Sequence, residues 1–356
     1  MKYEDLIEKF ILNCENFWDE EFILDIDSKH KNILKTFNEI YKDNINLFAK
    51  NLINWEGQTD LGAPWQIRKY HIKKFGFISL FLNTLKEIRR FINGTNFDKN
   101  TFFDDYEILK LTQCIDLLKK YPAHKFPLEN NIYFFDKENN LSANYRWLRY
   151  IYLSNQILKN KIIDNNSVWM DIGSYYGGVQ SIIKNEIPNL KIILCDFNHQ
   201  LCRSYINLSI QFPQNRHILP NEAIKLNDLD SVDKGSIVYL PANKLDNFKN
   251  WKINLLSNFF SFGEMKKITF MNYIQKIKNS EINFIYSVNR FISSPFFEKT
   301  YNTNLNIFDY TIDNYSKIYF DIFPIHHYIK PKRLLFGRNY KRPMSSPYFE
   351  ILLKKL

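Results

Sequence analysis

Cysteine is scarce in this sequence. The four residues at positions 14, 114, 195 and 202 form no C-x-x-C pairs, which excludes a zinc site built on that spacing. A chain of 356 residues can bury a core without a disulfide framework, so these thiols read as reduced and the compartment as cytoplasmic. Long apolar runs are also missing, and no segment reaches the ~18 to 20 residues of a membrane span. The opening MKYEDLIEKFILN sets acids among its apolar residues and lacks the unbroken apolar core of a secretion signal. The expectation is a protein without a membrane span, at most peripheral to a membrane surface. Internal repeats and low-complexity linkers are absent as well.

What is present is the composition of a folded globular protein, 45% hydrophobic and 17% aromatic. Lys and Arg exceed Asp and Glu by 48 to 38, a formal charge of +10. Such a balance suits an anionic partner: nucleic acid, a nucleotide-linked substrate or a membrane surface. The basic residues are nevertheless scattered, apart from a cluster at Lys330 to Arg342. A solvated basic surface is therefore the preferred reading.

Up to about residue 130 the apolar period is helical, with Ile108, Leu111, Ile115 and Leu118 at three- and four-residue steps and Leu85, Ile88 and Ile92 repeating the pattern upstream of Gly94. Asn54 to Tyr70, with its Gly, Pro and paired Trp, reads as an ordered loop, either a packed connection or a lid over an acceptor. From about residue 162 short apolar runs alternate with helical ones. SVWMDIG, KIILCDF, SIVYLPA, INLLSNFFSF and INFIYSVNR read as strands, with HILPNE as a short third one. GGVQSIIKNEI, LCRSYINLSIQF and EMKKITFMNYIQKIKN read as the helices between them, and IYFDIFPI and YFEILLKKL as closing strands. The predicted fold is α/β: a doubly wound, Rossmann-like parallel sheet with helices on both faces over residues 141–356, preceded by a mainly helical region over 1–140. That region would shape an acceptor site or an oligomer contact.

The stretch VWMDIGSYYGGVQSIIKN places Asp171 just ahead of a loop holding Gly173, Gly177 and Gly178. In open parallel sheets the ligand crevice lies beyond the carboxyl ends of the strands, and glycines there admit close approach of backbone to ligand. A dinucleotide loop of the G-x-G-x-x-G type aims a helix N-terminus at a pyrophosphate, which a carboxylate two positions before the first glycine would repel. S-adenosylmethionine has no phosphate but carries a sulfonium and an ammonium, so a nearby Asp attracts it. The next strand ends in Asp196, about 20 residues on, where the ribose hydroxyls of an adenosine cofactor are held. A tight structural turn followed by a helix-capping Asp is the plainer account of the same residues.

Five segments in order, SANYRWLRYIYLSNQI (Ser142 to Ile157), DIGSYYGGVQSII, LCDFNHQLCRSYINLSIQFP, NLLSNFFSFGEM and FIYSVNRF, resemble the sugar O-methyltransferases of bacterial polysaccharide gene clusters. The resemblance spans about residues 142–292 and is thin on either side. It implies a class I methyltransferase fold, S-adenosylmethionine as cofactor and a sugar, sugar-nucleotide or glycan acceptor in capsule or lipopolysaccharide biosynthesis. The family often has Glu and a further Gly where this chain has Asp171 and Tyr175. The resemblance places Tyr176 near the cofactor, together with Asp171, Gly173, Gly177, Gly178 and Asp196. Tyr175 and Tyr176 would stack on adenine, cover the sulfonium or pack beneath the loop.

Methyl transfer to a hydroxyl is an in-line displacement aided by a general base or a metal. Glu264 in SFGEM follows a strand at the crevice end; it would serve as that base or close an S-x-x-E capping box with Ser261. His199 and His217 are the other candidates, because histidine titrates near working pH, with His326 and His327 later in the chain. Asn289 and Arg290 at a strand end would hold sugar hydroxyls or a phosphate, although an ion pair explains Arg290 equally well. No metal-ligand spacing is legible, Asp104-Asp105 reads as a helix start, and dependence on a divalent ion stays open. Two other functions compete. A nucleic-acid methyltransferase acting on exocyclic amines needs Asp/Asn/Ser-Pro-Pro-aromatic where this chain has SNFFSFGEM, so stable nucleic-acid binding is not expected. A non-catalytic scaffold in glycan assembly would not need to retain Asp171 and Asp196. A homo-oligomer is compatible with all three.

Overall fold

The computed structural model describes residues 3–15, 99–123, 134–136, 138–139, 141–248, 251–293, 305–325 and 347–356. The periodic run at Leu85, Ile88 and Ile92, the loop at 54–70, His326, His327 and the basic cluster at 330–342 lie outside them. The chain divides into two compact units: Met1–Ser28, Gln156–Phe323 and Ser345–Leu356 form one, Lys29–Asn155 and Pro324–Met344 the other.

Helix α1 (Tyr3–Leu12) belongs to the first unit. In the second, the period through Ile108 to Leu118 does not make one helix. It breaks between α2 (Lys99–Leu111) and α3 (Ile115–Lys120), where Gln113 takes a left-handed φ of 60°. The Thr112 hydroxyl donates to the Ile108 carbonyl at 2.7 Å, a local bond that competes with helix continuation. Leu109 and Leu118 are buried whereas Leu111 is 83% exposed, so the break resets which face meets the core. Asp104 and Asp105 lie within α2 rather than at its start, and Asp105 is buried. A feature not anticipated is the antiparallel pair β1 (Phe134–Asp136) and β2 (Leu141–Ala143). Asp136 closes its turn by accepting from the Asn139 backbone at 3.2 Å and side chain at 2.8 Å. Helix α4 (Tyr145–Lys159) then begins, and the Trp147 indole donates to the Tyr121 carbonyl at 2.8 Å.

The first unit is built on an eight-stranded sheet. Its strands are β3 (Val168–Ile172), β4 (Lys191–Asp196), β5 (His217–Ile218), β6 (Ile237–Pro241), β7 (Lys252–Phe259), β8 (Glu281–Arg290), β9 (Tyr315–Ile322) and β10 (Tyr348–Lys355). Between them run α5 (Gly178–Glu186), α6 (Asn198–Gln211), α7 (Pro220–Ala223) and α8 (Lys267–Lys278). The spatial order is β5-β6-β4-β3-β7-β8-β10-β9. Strands β3 to β8 are mutually parallel, as expected of crossover connections through helices. The closing strands exist, but β10 runs antiparallel to both neighbours and inserts between β8 and β9. The sheet is thus mixed: a doubly wound, Rossmann-like α/β sheet with one reversed strand.

The parallel strands read as apolar runs because they are covered on both faces. Every residue of β3 and of β6 is buried. One face joins Met170, Ile172, Ile193, Val238, Leu240, Leu256 and Ile285 into a core that α8 completes with Phe270, Ile274 and Ile277. Strand order reverses at β3, which has β4 on one side and β7 on the other. That reversal opens the ends of β3 and β4 to a ligand. Helix α1 packs on α6, with Phe10 5.8 Å from the Tyr205 ring. Among the described residues no helix is long and apolar enough to cross a membrane.

Lys184 of α5 is buried, and its ammonium donates to the carbonyls of Pro188, Leu190 and Gly235 at 2.6, 2.8 and 2.7 Å. Burial lowers its pKa to about 8, so it is charged at neutral pH; a neutral amine would offer only two protons to three carbonyls. Replacing it with methionine strands three acceptors. Lys184→Met should lower the unfolding free energy by about 2 kcal/mol or more in a denaturant titration.

Candidate active site

The site begins where β3 ends. Gly173 has φ 80° and donates its N–H to the Cys195 carbonyl at 2.8 Å, tying the loop to β4. A Cβ there would stand 2.5 Å from the Ser261 Cβ, inside the turn after β7, so only glycine lets these two strand ends meet. Gly177, with φ 81°, caps α5, and Leu208 of α6 lies 3.0 Å from where its Cβ would be. Gly178 opens α5 and is buried.

Asp171 is 2% exposed. One of its oxygens accepts from the Ser257 hydroxyl at 2.5 Å and the other from the Gln180 amide, while the Trp169 indole donates to Ser257 at 2.7 Å. Its charge would therefore reach a ligand through space rather than by contact. Burial raises its pKa to about 7, the Ser257 and Gln180 hydrogen bonds oppose that shift, and Asp196 adds to it. Asp196 at the end of β4 is half-buried and accepts from the backbone N–H of Tyr175 at 3.0 Å and of Phe197 at 2.7 Å. Burial lifts it likewise to about 7, against the Phe197 and Tyr175 amides and the charge of Arg203. In the free protein both carboxylates are thus held above the ordinary aspartate range. A cation between them would pull both toward the ionised form.

Ser174 lies in the middle of this loop with its hydroxyl buried and without a hydrogen-bond partner. A buried orphan of this kind calls for an explanation, and a ligand seated on the loop supplies one. The glycine cradle, the orphan hydroxyl and a carboxylate with lone pairs to spare fit the ribose and amino-acid ends of S-adenosylmethionine.

The other expected residues are dispersed. Tyr176 is 2% exposed and packs beneath the loop, where the Asn207 amide donates to its carbonyl at 2.9 Å. His199, in the first turn of α6, is buried and stacks on Phe197 with ring centroids 5.8 Å apart. His217 is displaced from the site: it pairs with Ile237 at the amino end of β6, whereas the loop stands at the carboxyl ends. Its ring is committed there to the Tyr239 hydroxyl at 2.9 Å and the Phe212 carbonyl at 3.0 Å. Burial lowers its pKa, opposed by the Phe212 carbonyl and aided by the charges of Lys9 and Lys184.

Glu264 ends a 3-10 turn, Phe262–Glu264, and is exposed at the carboxyl end of β7. The capping box with Ser261 does not form, and α8 starts only at Lys267. Ser261 instead points its hydroxyl back to the Ile172 carbonyl at 3.3 Å. Asn289 is buried: its amide donates to Asn258 at 2.9 Å and Ser287 at 2.8 Å, and its oxygen accepts from the Gly263 N–H at 3.0 Å. It braces the Glu264 turn from behind. Arg290, the last residue of β8, is also buried and donates to the Tyr348 hydroxyl at 2.6 Å, with that ring 5.4 Å away. Among the described residues no group of three or more His, Cys, Asp or Glu is placed to hold a metal ion.

Sequence reasoning missed Gln180, Ser257 and Asn258. Asn258 joins the ends of three strands, donating to the Ile172 carbonyl at 2.8 Å and accepting from the Phe262 N–H at 3.0 Å. The available signal was the polar pair Ser257-Asn258 interrupting an apolar strand at its crevice end.

Gly173→Ala should destabilise the protein by on the order of 2 kcal/mol through the positive φ and the overlap with Ser261. A Ser261→Gly background should recover part of that loss in a double-mutant cycle of denaturant midpoints. The carboxylates make a second prediction. With a folded pKa of about 7 against an ordinary 3.8, Asp171 binds more protons in the folded state across that interval. Stability should therefore fall as pH rises through it, and Asp171→Asn should flatten the profile of unfolding free energy against pH.

Comparison with protein-family models and with curated proteins finds no match to the chain. Solved structures similar to it include an rRNA methylase from Streptococcus thermophilus at 13% identity, covering 58% of this chain and 97% of that one with a TM-score of 0.33. The plantazolicin methyltransferase BpumL in complex with SAH is similar at 12% identity, with 60% and 84% coverage and a TM-score of 0.32. A SAM-dependent methyltransferase of Leishmania major follows at 8% identity, 68% and 82% coverage and a TM-score of 0.34. At these values none bears on substrate, and the fold rests on the strand order of the chain itself.

Proposed function

We propose that this chain is an S-adenosylmethionine-dependent O-methyltransferase that methylates a sugar hydroxyl in surface-polysaccharide biosynthesis. The observation that carries the cofactor is the pair of carboxylates, Asp171 buried and Asp196 half-buried, at the ends of neighbouring parallel strands on either side of a glycine loop. Such a pair favours a cationic ligand over the phosphates that glycine loops otherwise bind. The sugar acceptor is supported by the sequence resemblance over about residues 142–292.

In this reading Asp196 accepts the ribose hydroxyls, the Ser174 hydroxyl donates to a polar group of the ligand, and Asp171 contributes charge from beneath the loop. The bound cofactor supplies a methyl group activated by its sulfonium. Glu264 takes the proton of the acceptor hydroxyl. It is exposed at the carboxyl end of β7, on a turn fixed by Asn258 and Asn289. The acceptor thus meets that turn rather than Asn289 itself. His199 is the second candidate base, and His217 is set aside because it stands at the opposite end of the sheet.

Calorimetry should find S-adenosylmethionine binding that strengthens as pH rises through about 7 and levels off above it, with proton release on binding. Asp196→Asn should weaken binding by about tenfold or more, about 1.4 kcal/mol. Glu264→Gln should slow turnover by about 10²-fold or more while leaving cofactor affinity intact. Mass spectrometry of surface glycans with and without the intact protein should show the loss of one methyl group. Methyl transfer to RNA in place of a glycan, or absence of cofactor binding, would refute the proposal.

A further inference from the structure

Arg203 of α6 is fully buried, with its guanidinium 4.6 Å from the centroid of the Tyr175 ring. It donates to the Gln200 side chain at 3.0 Å and, at 3.4 Å, to the Tyr175 hydroxyl. Taking an arginine out of water is costly unless its partners compensate, so its burial under a surface loop calls for a reason. Tyr175 is unusual too. Its φ of 54° is left-handed, a conformation that costs a side-chain-bearing residue on the order of 1 kcal/mol. Three contacts hold it there, all from one short segment of chain. The ring lies against Arg203, the carbonyl accepts from the Ser204 hydroxyl at 2.6 Å, and the N–H points to Asp196 at 3.0 Å.

We infer that Arg203 and Tyr175 are a positioning pair which orients Asp196 to accept a vicinal diol. The inference rests on the cofactor reading and extends it, since the diol is the ribose of the nucleoside. The left-handed turn is what directs the Tyr175 N–H at the carboxylate. With the Phe197 N–H on its other oxygen, Asp196 has one donor on each and keeps about two lone-pair sites for two hydroxyls. Arg203 supplies positive charge behind the same group. The other titratable groups around Asp196 are Asp171 on β3, Cys195 beside it on β4, Tyr175 in the loop and His199 in the first turn of α6. Of these, Asp171 in its ionised form opposes the charge on Asp196, whereas the Phe197 and Tyr175 amides and, after them, the cation on α6 favour it. A purely architectural Arg203 would join loop to helix without affecting how Asp196 titrates.

The test follows the Tyr175 amide in protein labelled with ¹⁵N-tyrosine, its resonance assigned by loss in Tyr175→Phe. The amide bonds Asp196, so its shift against pH reports that carboxylate without any ligand. In Arg203→Met the midpoint should move up by about half a unit or more, and the pH midpoint of S-adenosylhomocysteine affinity should move with it. Arg203→Lys, which keeps the charge, should stay closer to the parent protein. An unmoved midpoint, or affinity falling by one factor at every pH, would overturn the inference. Should Arg203→Met fail to fold, Tyr175→Gly provides the second variant, because glycine adopts the left-handed φ without strain. It removes the ring that Arg203 holds, and S-adenosylhomocysteine affinity should drop about tenfold; unchanged affinity would overturn the pair. If the parent protein binds no S-adenosylhomocysteine, the cofactor reading and the diol fall, while the amide titration still decides whether Arg203 governs Asp196.

Discussion

A buried and a half-buried carboxylate side by side at the ends of parallel strands are costly, and much of the first unit is arranged around that cost. Asp171 receives a hydroxyl and an amide, Asp196 receives two backbone N–H groups, and Arg203 stands behind the second. These contacts do not cancel the penalty, since burial still raises both groups above the ordinary aspartate range. The residual strain is what a cationic ligand would relieve. A site that is unfavourable when empty and favourable when occupied converts folding free energy into selectivity for charge.

The loop between the two acids shows the same economy of means in its backbone. Gly173, Tyr175 and Gly177 all have positive φ, alternating with residues that do not. The glycines are there for space, because neighbouring side chains fill the positions their Cβ atoms would take. The tyrosine is there for its ring and its N–H, and its strain is met by contacts from the following strand and helix. The turn after β7 is built by different means, with Asn258 and Asn289 serving as bonded struts between strand ends. Both devices put irregular backbone at the switch point of the sheet while leaving the strands below regular.

Much of this was legible in the sequence. Strand and helix alternation from residue 162 onward follows from period and length alone, and all of its elements are present. Asp171, the glycine loop and Asp196 were legible because each lies at a predictable strand end. Gln180 and Ser257 were not, because Ser257 meets Asp171 across 86 residues of chain and nothing local marks the pairing. His217 looked suitable by chemistry, but its place in the register puts it at the wrong end of the sheet. Tyr176 and Tyr175 differ only in order along the chain, and the backbone turn alone sends one ring under the loop and the other against Arg203.

The sequence by itself determined the local elements and the position of the acids relative to the glycines, because periodicity and backbone preference act over a few residues. Only the tertiary structure decided that the last strand runs antiparallel between β8 and β9, that Ser261 binds backbone instead of capping a helix, and that burial raises both acids above the ordinary aspartate range. Those outcomes depend on burial and on partners brought from distant strands. Desolvation in particular belongs to the assembled core, and no stretch of chain read alone carries it.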